Sequence, residues 1–206
     1  MQIISHRGYW KSEEEKNTEI AFRRSFELGF GTETDIRDYM GELVISHDIA
    51  DKNSLAAEEL FKIYSSYNKD LPLALNIKAD GLQLKLKELL EKYKVNNYFV
   101  FDMSVPDGLV YLRHGLNSYT RQSEYEQEPS FYDEAAGIWL DEFHSHWIEN
   151  YLIEKHLKKG KDVCIVSPDL HRRSFDLEWK QYKEIKDKKF ILCTDFPEKA
   201  EEYFCG

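Results

Sequence analysis

Cysteine, proline and long apolar runs are scarce in this chain, and each scarcity excludes something. Only 3 of the 206 residues are cysteine. Cys164, Cys193 and Cys205 form an odd, widely spaced set that suits neither a disulfide framework nor a zinc site. Cys164 and Cys193 lie inside apolar strand-like runs and read as small core residues, so a reducing cytoplasm is the expected compartment. The 5 prolines and 10 glycines gather in no linker or low-complexity segment. No apolar run approaches the ~20 residues of a membrane-spanning helix. Met1-Gln2-Ile3-Ile4-Ser5-His6 enters a strand without a basic leader or an apolar signal core. Positive charge is also short, with 28 Lys and Arg against 38 Asp and Glu, a net charge of −10. That balance argues against a nucleic-acid backbone or an anionic membrane surface as the main partner. A phosphate ester stays open, because a bound divalent cation and a few local basic residues decide the field inside a pocket.

What is present points to one α/β domain spanning residues 1–206. Hydrophobic residues make up 42% and charged residues 32%, ordinary values for a globular chain. Apolar or β-rich runs recur at 2–5, 32–36, 73–77, 98–102, 118–121, 137–141, 162–166 and 190–194. Amphipathic stretches lie between most of them. Residues 18–28 carry Ile20, Phe22 and Phe26; residues 54–67 open with Ser54 as a cap candidate and carry Leu55, Leu60, Ile63 and Tyr64. Further stretches at 82–93, 146–159, 177–187 and 197–204 follow the same pattern. Strands alternating with helices imply parallel pairing through right-handed crossovers. Eight such strands predict a closed (β/α)8 barrel, compact beside the ~250 residues usual for that fold. Two units break the alternation. A Gly-containing turn at 38–42 leads into Leu43-Val44-Ile45-Ser46-His47 as a hairpin-like extension, and 123–134 lacks any periodicity and reads as an irregular connection.

Polar residues gather where the strands stop. Glu33 and Asp35, two apart on one strand, point to the same side, while Thr32, Thr34 and Ile36 face the other way. Carboxylates so placed repel each other unless a cation sits between them, and hard oxygen ligands favour Mg2+ or Ca2+ over zinc. His6 and His47 each follow an apolar strand, and together with the carboxylates they supply parts for metal-assisted acid–base chemistry. Arg121 ends the fifth strand, facing either a second phosphate or substrate carboxylate, or an ion pair with Glu124, Asp102 or Asp141. Trp139 forms either a stacking wall or part of the core. The remaining histidines, His114, His144, His146, His156 and His171, receive no role.

In order and spacing these residues resemble the glycerophosphodiester phosphodiesterase family. Its pattern reads HRG, then (E)NT and an AF helix, then ExD, then a strand ending HD. The matching pieces are His6-Arg7-Gly8, Asn17-Thr18, Ala21-Phe22, Glu33-Thr34-Asp35 and Ile45-Ser46-His47-Asp48, which cover the first quarter of the chain. The resemblance implies a TIM barrel of the phospholipase-C-like phosphodiesterase type. It also implies metal-dependent hydrolysis of a small glycerophosphodiester or glycerol-phosphate-like diester, with His6 and His47 as general acid and base. Glu33 and Asp35 would then hold the metal, and Arg7 and Lys78 the phosphate. With no hydrophobic lip or anchor in view, a small soluble diester is expected rather than a phospholipid.

The chain departs from the family on the third strand. Where the family carries Glu-x-Lys, this chain has Asn76-Ile77-Lys78, so a carbonyl oxygen replaces a carboxylate in the expected metal set. Asp102 and Asp141, at the ends of later strands, are candidates to restore the missing charge, or else cap the helices that follow. Lys16 also stands where the family has glutamate, and Asn17 is expected to order the loop after the first strand. Asp195-Phe196-Pro197 resembles the family's ending, with Asp195 expected to cap the last helix and Pro197 to open it. The alternative function is a non-catalytic polyol-phosphate-binding barrel descended from such an enzyme. Oligomeric state is not readable from the sequence.

Overall fold

The computed structural model describes residues 1–67, 70–186 and 188–206. Eight parallel strands build the barrel: β1 (Gln2–His6), β2 (Gly31–Tyr39), β5 (Leu73–Ile77), β6 (Tyr98–Phe101), β7 (Tyr119–Gln122), β8 (Gly137–Leu140), β9 (Asp162–Val166) and β10 (Phe190–Thr194). The short antiparallel strands β3 (Glu42–Ile45) and β4 (Leu55–Ala56) extend the rim. Neighbours pair in the order β6-β5-β2-β1-β10-β9-β8-β7. The ring closes where Val100 on β6 meets Ser118, just ahead of β7, in a parallel bridge. The cylinder is filled by inward-facing residues in layers. Phe99 stacks on Tyr119 and Phe101 on Trp139, each pair with centroids 3.9 Å apart, so four aromatic rings plug its middle. Trp139 is therefore core and not a wall of the mouth.

Helices cover the outside: α1 (Glu19–Glu27), α2 (Ala57–Ser66), α3 (Gln83–Lys92), α4 (Val105–Arg113), α5 (Asn150–Lys158), α6 (Asp176–Lys183) and α7 (Pro197–Cys205). Their apolar stripes meet the outward strand residues in two belts. Phe22, Phe26 and Leu60 pack on Ile36 and Leu75 on one side, and Ile153, Trp179 and Phe204 on Ile138 and Leu192 on the other. Ile20 lies outside its helix's stripe and is half exposed. None of the helices among the described residues is long and apolar enough to cross a membrane.

Several local expectations need correction. α2 starts at Ala57 and not at Ser54, because residues 55–56 pair with β3; the Ser54 hydroxyl accepts the Asp51 N–H instead. α5 starts at Asn150, four residues later than its periodicity suggests, because the Glu142 carboxylate holds the N–H groups of Trp147 and Ile148 in an irregular approach. α4 follows β6 although Pro106 and Gly108 obscure its pattern; the proline sits in its first turn, where a missing N–H costs nothing. The end of the fifth expected stretch, Asp187, lies outside the described residues, and α6 itself closes at Lys183. Residues 123–134 carry neither helix nor strand, as their lack of period suggested. β2 runs past the barrel and turns at Met40-Gly41, both at positive φ, into β3 with Tyr39 opposite Glu42.

Candidate active site at the carboxyl ends of the strands

Strand register assembles the site. His6 on β1 is level with Glu33 on β2, and Asp35 on β2 is level with Asn76 on β5. Period-2 alternation turns all four into the barrel mouth, and Glu33, Asp35 and Asn76 are buried there. The turn after β1 shapes the first corner. Arg7 and Gly8 take φ of 58° and 80°, so the Arg7 N–H donates to Glu33 Oε2 at 3.2 Å and the Gly8 N–H to Thr32 Oγ1 at 2.9 Å.

Around Asp35 the positive charges collect. Arg7 Nε lies 3.1 Å from Asp35 Oδ2 and Lys78 Nζ 3.4 Å from Oδ1. Asn17 joins the rim by donating from Nδ2 to Asp35 Oδ2 at 2.8 Å and accepting from the Thr34 hydroxyl at 2.9 Å. Burial pushes the Glu33 carboxyl well above the usual carboxylate range, and the neighbouring Asp35 charge pushes it further. Asn76 Oδ1 is buried without a hydrogen-bond donor, and buried Asp35 Oδ1 has only the Lys78 ammonium at 3.4 Å, outside hydrogen-bond geometry. A pair of carboxylates beside an amide oxygen, with buried lone pairs left open, fits a hard divalent cation.

His47 arrives from the hairpin. The Ser46 N–H donates to the Asp35 carbonyl at 3.0 Å, tying the end of β3 to the acidic strand. The His47 imidazole is half exposed, with Nδ1 2.8 Å from Asp48 Oδ1. It lines a groove of about 620 Å³ together with Arg7, Lys16, Asn17 and Asp48. The hairpin thus delivers His47 to the open end that Arg7 occupies.

On the far side of the mouth, carboxylates engage partners instead of capping helices. Asp102 lies between Arg121, which also binds the Glu126 carboxylate, and Lys78 at 3.9 Å. Asp141 Oδ1 is 2.6 Å from His171 Nε2. The residues that open α4 and α5 are Ser104 and Glu149, so neither aspartate caps its helix; both helices start too far beyond the strand ends. For Arg121 the ion-pair arrangement is the one observed, with Asp102 and Glu126 as its partners.

Asp195 departs most from expectation. Pro197 does open α7, but the Asp195 side chain does not cap it; Asp195 Oδ1 lies 2.8 Å from His6 Nδ1. Behind it, Asp169 Oδ2 accepts the Asp195 N–H at 2.7 Å and the Thr194 hydroxyl at 3.0 Å. Asp169 and His171 both sit on a short 3-10 helix, Pro168–His171, for which the sequence carried no periodic signal. The sequence signal for Asp195 was its place after the last strand, which means something only once β10 is known to adjoin β1. A further cluster of Glu142, His146 and Glu178 brings its ligand atoms within 4.8 Å of one another. Arg173 already spans it, 3.5 Å from Glu142 Oε1 and 3.2 Å from Glu178 Oε1.

No family model matches the chain, and no curated protein matches it in sequence. Solved structures do match it in fold. A glycerophosphodiester phosphodiesterase from Agrobacterium tumefaciens aligns with a TM-score of 0.70 at 14% identity, over 99% of this chain and 98% of its own. A phosphodiesterase from Oleispira antarctica, in complex with the product sn-glycerol-3-phosphate, aligns with a TM-score of 0.71 at 16% identity, over 100% and 97%. The glycerophosphodiester phosphodiesterase of Thermotoga maritima gives 0.59 at 17% identity, over 97% of each chain. The fold is thus one found in glycerophosphodiester phosphodiesterases, and the likeness in fold covers nearly the whole chain.

Proposed function

We propose that this protein is a metal-dependent phosphoric diester hydrolase acting on a small glycerophosphodiester or a glycerol-phosphate-like diester. One observation carries the reading: strand register gathers His6, Glu33, Asp35 and Asn76 on adjoining strands, at an open end shared with Arg7 and His47. Glu33, Asp35 and Asn76 would hold Mg2+ or Ca2+. Such a cation, when bound, neutralises charge gathering on the phosphoryl oxygens. The complex of the Oleispira neighbour with sn-glycerol-3-phosphate supports a substrate of that size.

The chain's own groups do the rest. Arg7 offers a fork of donors and Lys78 a point charge to the non-bridging oxygens. One imidazole of the His6 and His47 pair takes the proton of the attacking hydroxyl as the new P–O bond forms. The other returns a proton to the departing alkoxide as the old P–O bond breaks. Attack by water gives a phosphomonoester and an alcohol; attack by a neighbouring substrate hydroxyl gives a cyclic phosphate first, which 31P NMR of early products separates. His6→Ala and His47→Ala should each lower hydrolysis by roughly 10²–10⁴-fold. Unchanged turnover in either purified variant overturns the proton-transfer assignment.

A further inference from the structure

The two imidazoles are held differently. His47 leans on Asp48, its own neighbour in sequence, and both are solvent-exposed. His6 and Asp195 are 189 residues apart, and their side chains are only 14% and 12% exposed. The main chain around Asp195 is fixed on both flanks. Its own N–H is bound by Asp169, and the next N–H, that of Phe196, donates to Thr194 Oγ1 at 3.0 Å. The His6 carbonyl accepts the Trp10 indole N–H at 3.1 Å, which steadies the other partner. An ionised carboxylate only accepts, so a bond to Nδ1 requires the proton to be on Nδ1. That leaves Nε2, on the Glu33 side of the ring, as the atom free to exchange a proton with the substrate.

We propose that Asp195 is a positioning residue for diester cleavage: its carboxylate holds His6 in the Nδ1–H tautomer and aims Nε2 at the reacting oxygen. The inference rests on the proposed hydrolase reading and deepens it. The Asp195 carboxylate meets the His6 ring. Its effect passes through His6, by fixing the tautomer and the ring orientation and by stabilising the imidazolium while His6 holds the second proton.

The test uses the full chain and one diester substrate. Asp195→Asn should lower kcat on the order of 10²-fold or more with KM little changed. The double variant His6→Ala/Asp195→Asn should be no slower than His6→Ala alone, because both act through one imidazole. In 15N-edited spectra of the substrate-free protein, His6 should carry its proton on Nδ1 and lose that preference in Asp195→Asn. Asp195→Ser gives the same readings should the asparagine variant not fold. The proposal is overturned by losses that multiply in the double variant, or by a His6 tautomer indifferent to residue 195. Should His6→Ala itself leave turnover unchanged, the assignment of proton transfer to His6 and the proposal with it are overturned; should the parent protein turn over no diester, the hydrolase reading fails, while the spectra still decide the tautomer.

Discussion

At position 76 a neutral amide stands beside two buried carboxylates, and its Oδ1 has no donor. Charge balance explains why the neutral residue is tolerated: Arg7 and Lys78 already face Asp35, so the cluster holds as many cationic groups as carboxylates. Asn76→Glu adds a third carboxylate. Calorimetry should then show Mg2+ or Ca2+ binding tightened on the order of tenfold, ~1.4 kcal/mol. The metal-free variant should melt earlier than the parent, since the added charge is buried without a partner. An unchanged Kd would remove Asn76 from the metal set. His6 was legible in the sequence because it ends an apolar strand, and Glu33 and Asp35 because a spacing of two on a strand turns both to one side. Asp195 and Asp169 were not, because their partners are nearly a whole chain away or on a short 3-10 turn.

Among the elements, the first βα turn is the tightest. Gly8 has φ of 80°, and a Cβ there would come 2.7 Å from Ala21 Cβ and 2.9 Å from the Ala21 carbonyl carbon. Gly8→Ala therefore strains the backbone and pushes α1 away from β1. Denaturant titration should show a loss of roughly 2 kcal/mol or more; an unchanged midpoint would mean that α1 yields to the added methyl group without cost. Helix α5 supplies a second test through His156, which accepts from the Tyr132 hydroxyl at Nδ1 (2.6 Å) and donates from Nε2 to Gln122 Oε1 (3.0 Å). Burial pushes its pKa down to about 4. The unfolded chain, with an ordinary histidine near 6.5, binds the proton more readily. The stabilisation from the neutral ring is therefore complete above about pH 6.5 and is lost as pH falls towards 4. The melting temperature of His156→Gln should be less sensitive to pH between those limits than the parent's, and equal slopes would refute the assignment. Element boundaries were the least legible part of the sequence. Ser54 and the run from His146 had good local signals, but β3 pairing and the Glu142 carboxylate took over the backbone there.

Across the whole molecule, the eight strands do not hold one another equally. β2 and β5 share a register five residues long, whereas β6 meets the β7 segment through the single bridge of Val100 and Ser118. Stacked rings of Phe99 and Tyr119 span that seam, so packing replaces much of the missing ladder. Native-state hydrogen exchange should accordingly find β6 and β7 amides opening at lower free energy than those of β2 and β5. Uniform protection around the ring would contradict it. Apolar periodicity alone determined the repeating strands, most of the helices, the helix-free fifth unit and the placement of acids and imidazoles at strand ends, because burial imposes those patterns locally. The expected closed barrel already sets the first strand beside the last, but only the tertiary structure decided which side chains meet across that adjacency. That adjacency makes Asp195 the partner of His6; other long-range meetings pair Asp102 with Arg121, pair Asp141 with His171 and stack Trp139 on Phe101 in the core. The physical reason is that such pairings depend on through-space distance between segments far apart in the chain, which no local propensity encodes.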